Sequence, residues 1–279
     1  MSRKSSSRIK NVLFVVLSFV LSLVLFGLSL SVVLEATVFN SDFILENMNS
    51  SNYYSDKKDE ITLSLTDLGY ASGLDESFFD GIVDEVMLNA NTQEYLQNYY
   101  SGEGTKIDVT QFKQVFNSAL DTYIEDNSIE SVDGTSREYL VTRAATVYER
   151  SLEIPLFSKI SAYFLKIRKA MPFVIAGLIL FAAIIVAIFF VANKWKHRAV
   201  KFCYYACAAA FLALGIIPLT ALVTGQFEKV NITSRALYNL FVNCGNSVMI
   251  AILFCSLLFL VIAFALFFLH KKMRAKLTD

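Results

Sequence analysis

Only two imidazoles, His197 and His270, occur among the 279 residues, and both stand beside long apolar runs. Histidine moves protons most readily near neutral pH, so its placement limits the available chemistry. The one sizeable polar stretch, residues 35–169, has neither histidine nor cysteine. A Ser–His–Asp triad, a Cys–His pair and a His-based zinc site are therefore excluded from it. Hydrolysis by paired carboxylates stays open, since the stretch carries 23 acidic residues. A solvated acidic surface is the simpler reading.

The densest acidic group is Asp75, Glu76, Asp80, Asp84 and Glu85. It lacks the calcium-loop order of alternate acids, a glycine and a distal glutamate, so cation binding there is not implied. The Ser101–Lys106 segment (SGEGTK) has glycines and a lysine without phosphate-loop spacing. Cys203 and Cys207 stand four apart, where acylation or close packing would use them; Cys244 and Cys255 suggest no disulfide. Two tyrosine pairs, Tyr53–Tyr54 and Tyr99–Tyr100, lie in the related segments SNYYS and NYYS. They either offer rings to a ligand or partner, or close helices against a core. A surface or intramembrane enzyme would have to draw on these acids and on Asn243, Asn246 and Ser247. No residue takes a catalytic, cofactor-binding or metal-ligating role, no cofactor is expected, and the chain reads as not an enzyme.

The elements that would position these groups are read from missing charge. The chain is 55% apolar and 18% charged, with a mean hydropathy of +0.49 and no net charge. Soluble domains run at about 45–50% apolar and about 25% charged, which argues against a nucleic-acid binder and against disorder. Charge-free gaps of 24, 24, 26 and 35 residues follow Lys10, Lys169, Lys201 and Arg235. A spanning helix needs about 20 apolar residues, so spans are expected at 12–34, 170–193, 202–224 and 247–269. None contains a charged side chain, which weakens proton-relay, ion-coupled and voltage-sensing readings. Their polar groups include Ser18, Ser22, Ser29, Thr220 and Ser256, which with Ala206, Ala209, Ala210 and Ala213 suit close helix packing. Pro218 is expected to kink the third span.

Orientation follows the basic residues. Arg3, Lys4, Arg8 and Lys10 precede the first span; Lys194, Lys196, Arg198 and Lys201 join the second to the third; Lys271, Lys272, Arg274 and Lys276 follow the fourth. The segments 1–11, 194–201 and 270–279 are thus expected in the cytoplasm of a plasma-membrane protein, with 35–169 and the loop 225–246 outside. The first span also has features of a cleaved signal peptide, but its long apolar stretch favours an uncleaved anchor.

Residues 35–169 carry a net charge of −12 and read as a helical extracytoplasmic domain. Phe112, Phe116, Leu120 and Tyr123 repeat at three and four behind Asp108, a suitable N-cap. Thr135 with Glu138 forms a capping-box pattern, and Asn91 with Glu94 a looser one. Further starts are expected at Ser41 and Asp75, with Ile61–Leu65 helical. Pro155 suits the first turn of a helix running through Arg168, either on the leaflet or as an extension of the second span. Ser234 would cap a helix at 236–244.

With its single anchor, long acidic helical loop holding Asn–Tyr–Tyr segments, three close spans and basic tail, the chain resembles four-span membrane proteins of Gram-positive bacteria. The resemblance implies an architecture and no activity. The expected fold class is all-α: a four-helix transmembrane bundle (1+3 spans) with a helical domain inserted between spans 1 and 2. The expected function is non-enzymatic, with the outer domain binding a partner or ligand as accessory subunit or sensor of a membrane complex. The alternative is an oligomeric pore or lipid-handling carrier. Expected partners are the bilayer and a protein partner or second copy packed on small-residue faces.

Overall fold

The computed structural model describes residues 3–70, 72–129, 133–155, 157–193 and 195–275, without the side chains of 3–9 and 158. Leu156, Lys194, Lys276 and Asp279 therefore lie outside the described residues, as do the side chains of Arg3, Lys4 and Arg8. The described residues are all-α, in two compact units. One comprises residues 1–39, 167–229 and 244–279; the other comprises 40–166 and 230–243.

The first unit is built on four helices: α1 (Arg3–Ala36), the apolar part of α7 (Phe157–Ala192), α8 (Lys196–Val223) and most of α9 (Arg235–Ala275). All four are long and apolar enough to cross a bilayer, and the chain is a multi-pass membrane protein. α8 packs against α1 with the two running parallel. Ala199, Ala206 and Ala210 are fully buried, and Ser18 Oγ donates to the Phe202 carbonyl at 2.8 Å. α7 is antiparallel to α1, bringing Phe189 onto Phe14 and Leu178 beside Gly27. α9 is antiparallel to α8, with Ser256 Oγ donating to the Phe211 carbonyl at 3.0 Å. Without a hydrophobic drive between helices in lipid, such small-residue seams and interhelical hydrogen bonds hold a bundle together. Ser18, Ser22 and Ser29 are buried inside this chain, as are Ala206 and Ala210, whereas Ala213 is exposed. Pro218 lies within α8 and is buried.

Leu13, Phe19, Phe173, Leu180, Ile217, Phe254 and Val261 are each at least half exposed. Large apolar side chains facing outward along such helices are solvated by acyl chains rather than water.

The second unit stacks α2 (Ser41–Ser50), α3 (Tyr53–Tyr70), α4 (Glu85–Ser101), α5 (Thr110–Asp126) and α6 (Gly134–Leu152) around an aromatic core. Phe112 stacks on Tyr148 at 4.4 Å, and Phe116 meets Phe78 edge-on at 5.5 Å. Tyr53, Tyr54, Tyr99 and Tyr100 are all buried, so the tyrosine pairs close helices against the core. Tyr99 stacks on Phe157 at 4.5 Å.

Several helix starts differ from the sequence-based expectation. Asp133 caps α6, its carboxylate accepting from the Ser136 N–H at 3.0 Å. Thr135 sits inside the first turn, because a carboxylate is the stronger acceptor for the positive end of a helix. Asn91 is interior to α4, which begins at Glu85, and donates to the buried Tyr148 hydroxyl at 2.9 Å. Asp75 starts only a 3₁₀ turn, Glu76–Phe79. α5 begins at Thr110, with Asp108 accepting from its N–H at 2.9 Å. α7 begins at Phe157, two residues beyond Pro155, and runs unbroken through Pro172. α9 likewise runs without a break from Arg235, through the stretch read as loop up to residue 246.

Candidate functional site

Two features of the second unit set side chains to work beyond simple packing. The first is a polar clasp between α3 and the start of α9. Acidic and basic residues at 56, 57 and 60 share one stripe of a helix, since positions three and four apart lie on the same face. Glu60 faces the first turn of α9, where backbone N–H groups have no intrahelical partner. Its Oε1 accepts from the Ala236 N–H at 3.0 Å and from Ser234 Oγ at 2.9 Å. Ser234 Oγ in turn accepts from the Leu237 N–H at 3.2 Å, which makes it the N-terminal cap its position predicts. Lys57, only 4% exposed, reaches Glu60 Oε2 at 2.8 Å and lies 5.9 Å from the Tyr53 ring centre. Asp56 accepts from Asn239 Nδ2 at 2.7 Å, and Asn243 Nδ2 donates to Ser50 Oγ at 2.6 Å.

Partial burial raises the Glu60 pKa, but the hydrogen bonds from Lys57, Ala236 and Ser234 outweigh it and hold the carboxyl below its ordinary range. A carboxylate with a depressed folded-state pKa stabilises fully above its unfolded pKa. That contribution is lost as pH falls through the folded value. The melting temperature of the full chain in detergent should therefore drop on acidification below the ordinary glutamate range. The drop should be smaller in Glu60→Gln. Equal acid sensitivity of the two proteins would show that the clasp does not carry it.

The second feature is a cleft of about 700 Å³ between α5 and α6. Among the described residues it is lined by Leu74, Leu120, Tyr123, Ile124, Ile129, Tyr139 and Leu140, with Thr135, Ser136 and Arg137 at its polar edge. Tyr139 is 66% exposed and Ile129 is also exposed. Arg137 is anchored by Asp121 at 2.7 Å and by the Asn117 side chain. Tyr123 donates to Asp75 at 3.3 Å. Binding clefts fall in the range of about 300–1,000 Å³, mostly apolar with a few placed polar groups, and this one meets that description.

Groups singled out from sequence fall elsewhere. Asn243 is spent in the clasp, and Cys203, Cys207, Cys244 and Cys255 are free thiols. Among the described residues no three histidine, cysteine or acidic side chains are placed to share a metal ion. Tyr148 has its pKa raised to about 12, by burial above all, so its hydroxyl stays neutral and structural. The clasp itself was missed, since its two halves lie 174 residues apart. Set beside known protein families, curated proteins and solved structures, the chain matches none.

Proposed function

We propose that the chain is a non-enzymatic accessory subunit or sensor of a membrane complex, whose helical insert lies outside the cytoplasm and binds a partner protein through the α5–α6 cleft. The cleft is the observation that carries this reading. It leaves apolar side chains such as Tyr139 and Ile129 in water beside the anchored Arg137, an arrangement suited to receive apolar side chains of a partner with a polar rim around them. The basic segments flanking the spans support the orientation.

A photo-crosslinking amino acid at Tyr139 tests the reading in intact cells expressing the full chain. The expected result is one discrete adduct, competed away by Leu140→Arg, with no adduct from the equally exposed Leu63 on α3. Protease added outside those cells should cut within residues 40–166. Adducts of equal yield from both positions, or protection of the insert from external protease, would overturn it.

A further inference from the structure

The α5–α6 cleft is distinguished by charge as well as by shape. Asp121 meets Arg137 and Phe112 stacks on Tyr148, so the two helices run antiparallel with the groove between them. Carboxylates are tied to its lining at three places. Asp75 accepts from the Tyr123 hydroxyl at 3.3 Å, and Asp121 pairs with Arg137 at 2.7 Å. Asp133 accepts from the Ser136 N–H and from its Oγ, each at 3.0 Å. Asp126 stands three residues beyond Tyr123 and shares its face of α5. From Leu120 to Asn127 the charged residues are Asp121, Glu125 and Asp126, with no cation.

Two cations stand against them. Arg137 is neutralised by Asp121, and the Arg143 guanidinium lies further along α6, 6.0 Å from the Tyr139 ring centre. Asp75, Asp126 and Asp133 pair with no Lys or Arg among the described residues, and all three are exposed. Where α5 ends and α6 begins, the rim is therefore acidic beside an apolar wall that includes Tyr123, Ile124 and Leu140.

That rim selects among the possible occupants of an apolar groove. A second copy seated through the same cleft would bring identical carboxylates together, and like charges across an interface oppose binding. An anionic lipid headgroup meets the same repulsion. A partner helix can lay an apolar stripe into the groove, and basic residues beside that stripe would complement the rim.

Taking the cleft as the docking site, the reading on which this rests, we propose that it receives a cationic amphipathic helix of the partner protein. The apolar stripe packs on Ile124, Tyr139 and Leu140, and flanking lysines or arginines face Asp75, Asp126 and Asp133.

The full chain with a photo-crosslinking amino acid at Tyr139, held in phosphatidylcholine nanodiscs, tests this with three synthetic helices. They share one leucine stripe, and their polar positions are all lysine, all glutamate or all glutamine. The lysine helix should be captured at the lowest concentration and the glutamate helix at the highest. Asp75→Asn with Asp126→Asn should raise the half-saturating concentration of the lysine helix about tenfold. Glu94→Gln with Glu103→Gln removes the same charge elsewhere on the insert and should leave that concentration unchanged; all four side chains are exposed. Equal capture of the lysine and glutamate helices, or equal losses in the two double variants, would overturn the cationic partner and leave the docking site standing. Capture of no helix would overturn the helical occupant, and a phosphatidylcholine adduct at Tyr139 would replace it with lipid. The docking site itself fails separately, through the absence of a discrete Tyr139 adduct in cells.

Discussion

Replacing Glu60 with alanine should destabilise the protein by about 3 kcal/mol, whereas replacing its ion-pair partner Lys57 with methionine should cost less than about 1 kcal/mol. The asymmetry follows from what each substitution leaves behind. Without Glu60, the Lys57 ammonium stays buried, and among the described residues it keeps Ser234 Oγ at 3.5 Å and the Tyr53 ring at 5.9 Å. The Ala236 N–H and the Ser234 hydroxyl lose their acceptor at the same time. A buried charge stripped of its partner typically costs about 3–5 kcal/mol. The lower end applies here, because the Glu60 side chain is 28% exposed and water enters its place. Without the Lys57 charge, Glu60 keeps the Ala236 N–H and the Ser234 hydroxyl, and methionine fills most of the lysine volume. Removing the partner also removes the penalty, so the Lys57→Met, Glu60→Ala double variant should lose less than the sum of the single changes. Circular-dichroism melts in detergent read this directly, with a fall of roughly 6–12 °C expected for Glu60→Ala. Equal losses from the two single substitutions would mean that the charge pair matters and the helix cap does not. Arg235, 79% exposed where it meets Asp56, should contribute almost nothing.

That clasp also marks where sequence reasoning ran out. The apolar spans were legible because the bilayer imposes a length and excludes charge, and both constraints act within a contiguous stretch. The helices of the insert were legible for a similar reason: Phe112, Phe116 and Leu120 repeat at helical spacing and are all buried. What joins them was not. Residues 230–243 look like the short connection between two spans, yet they pack with residues 40–166. Nothing local to Ser234 or Asn239 announces Glu60 or Asp56 as partners. The α6 start was ambiguous for another physical reason, since Asp133–Ser136 and Thr135–Glu138 both offer an acceptor three residues ahead of a free N–H. The cleft was invisible for a third: Leu120 belongs to the buried stripe of its helix, and only the packing of α5 against α6 shows that space remains beside it.

Gly69 near the end of α3 supplies the second large effect, and there two general tendencies oppose each other. Alanine is the better helix former by at most about 1 kcal/mol, which alone would make Gly69→Ala stabilising. A Cβ at Gly69, however, would stand 2.2 Å from Phe79 Cζ and 2.4 Å from Cε2. Carbon atoms in favourable contact sit about 3.5–4.0 Å apart, so the ring has to retreat by more than an ångström. On one side that retreat is blocked: Phe79 is 2% exposed and lies edge-on against Phe78, which itself packs on Phe116 and Tyr123. Overpacking of a filled core costs about 1–3 kcal/mol, and a rigid, enclosed ring belongs at the upper end. The net expectation is a loss of about 2 kcal/mol for Gly69→Ala. Phe79→Leu alone should also destabilise, by leaving space beside Phe78. In the Phe79→Leu background, though, the added methyl enters that space, so Gly69→Ala should become neutral or favourable. A reversal of sign between the two backgrounds, read from thermal melts of all four proteins, would identify the Gly69–Phe79 contact as the cause. Strict additivity would show that the helix end tolerates the methyl for some other reason, and that the close approach of α3 to the 3₁₀ turn does not select glycine.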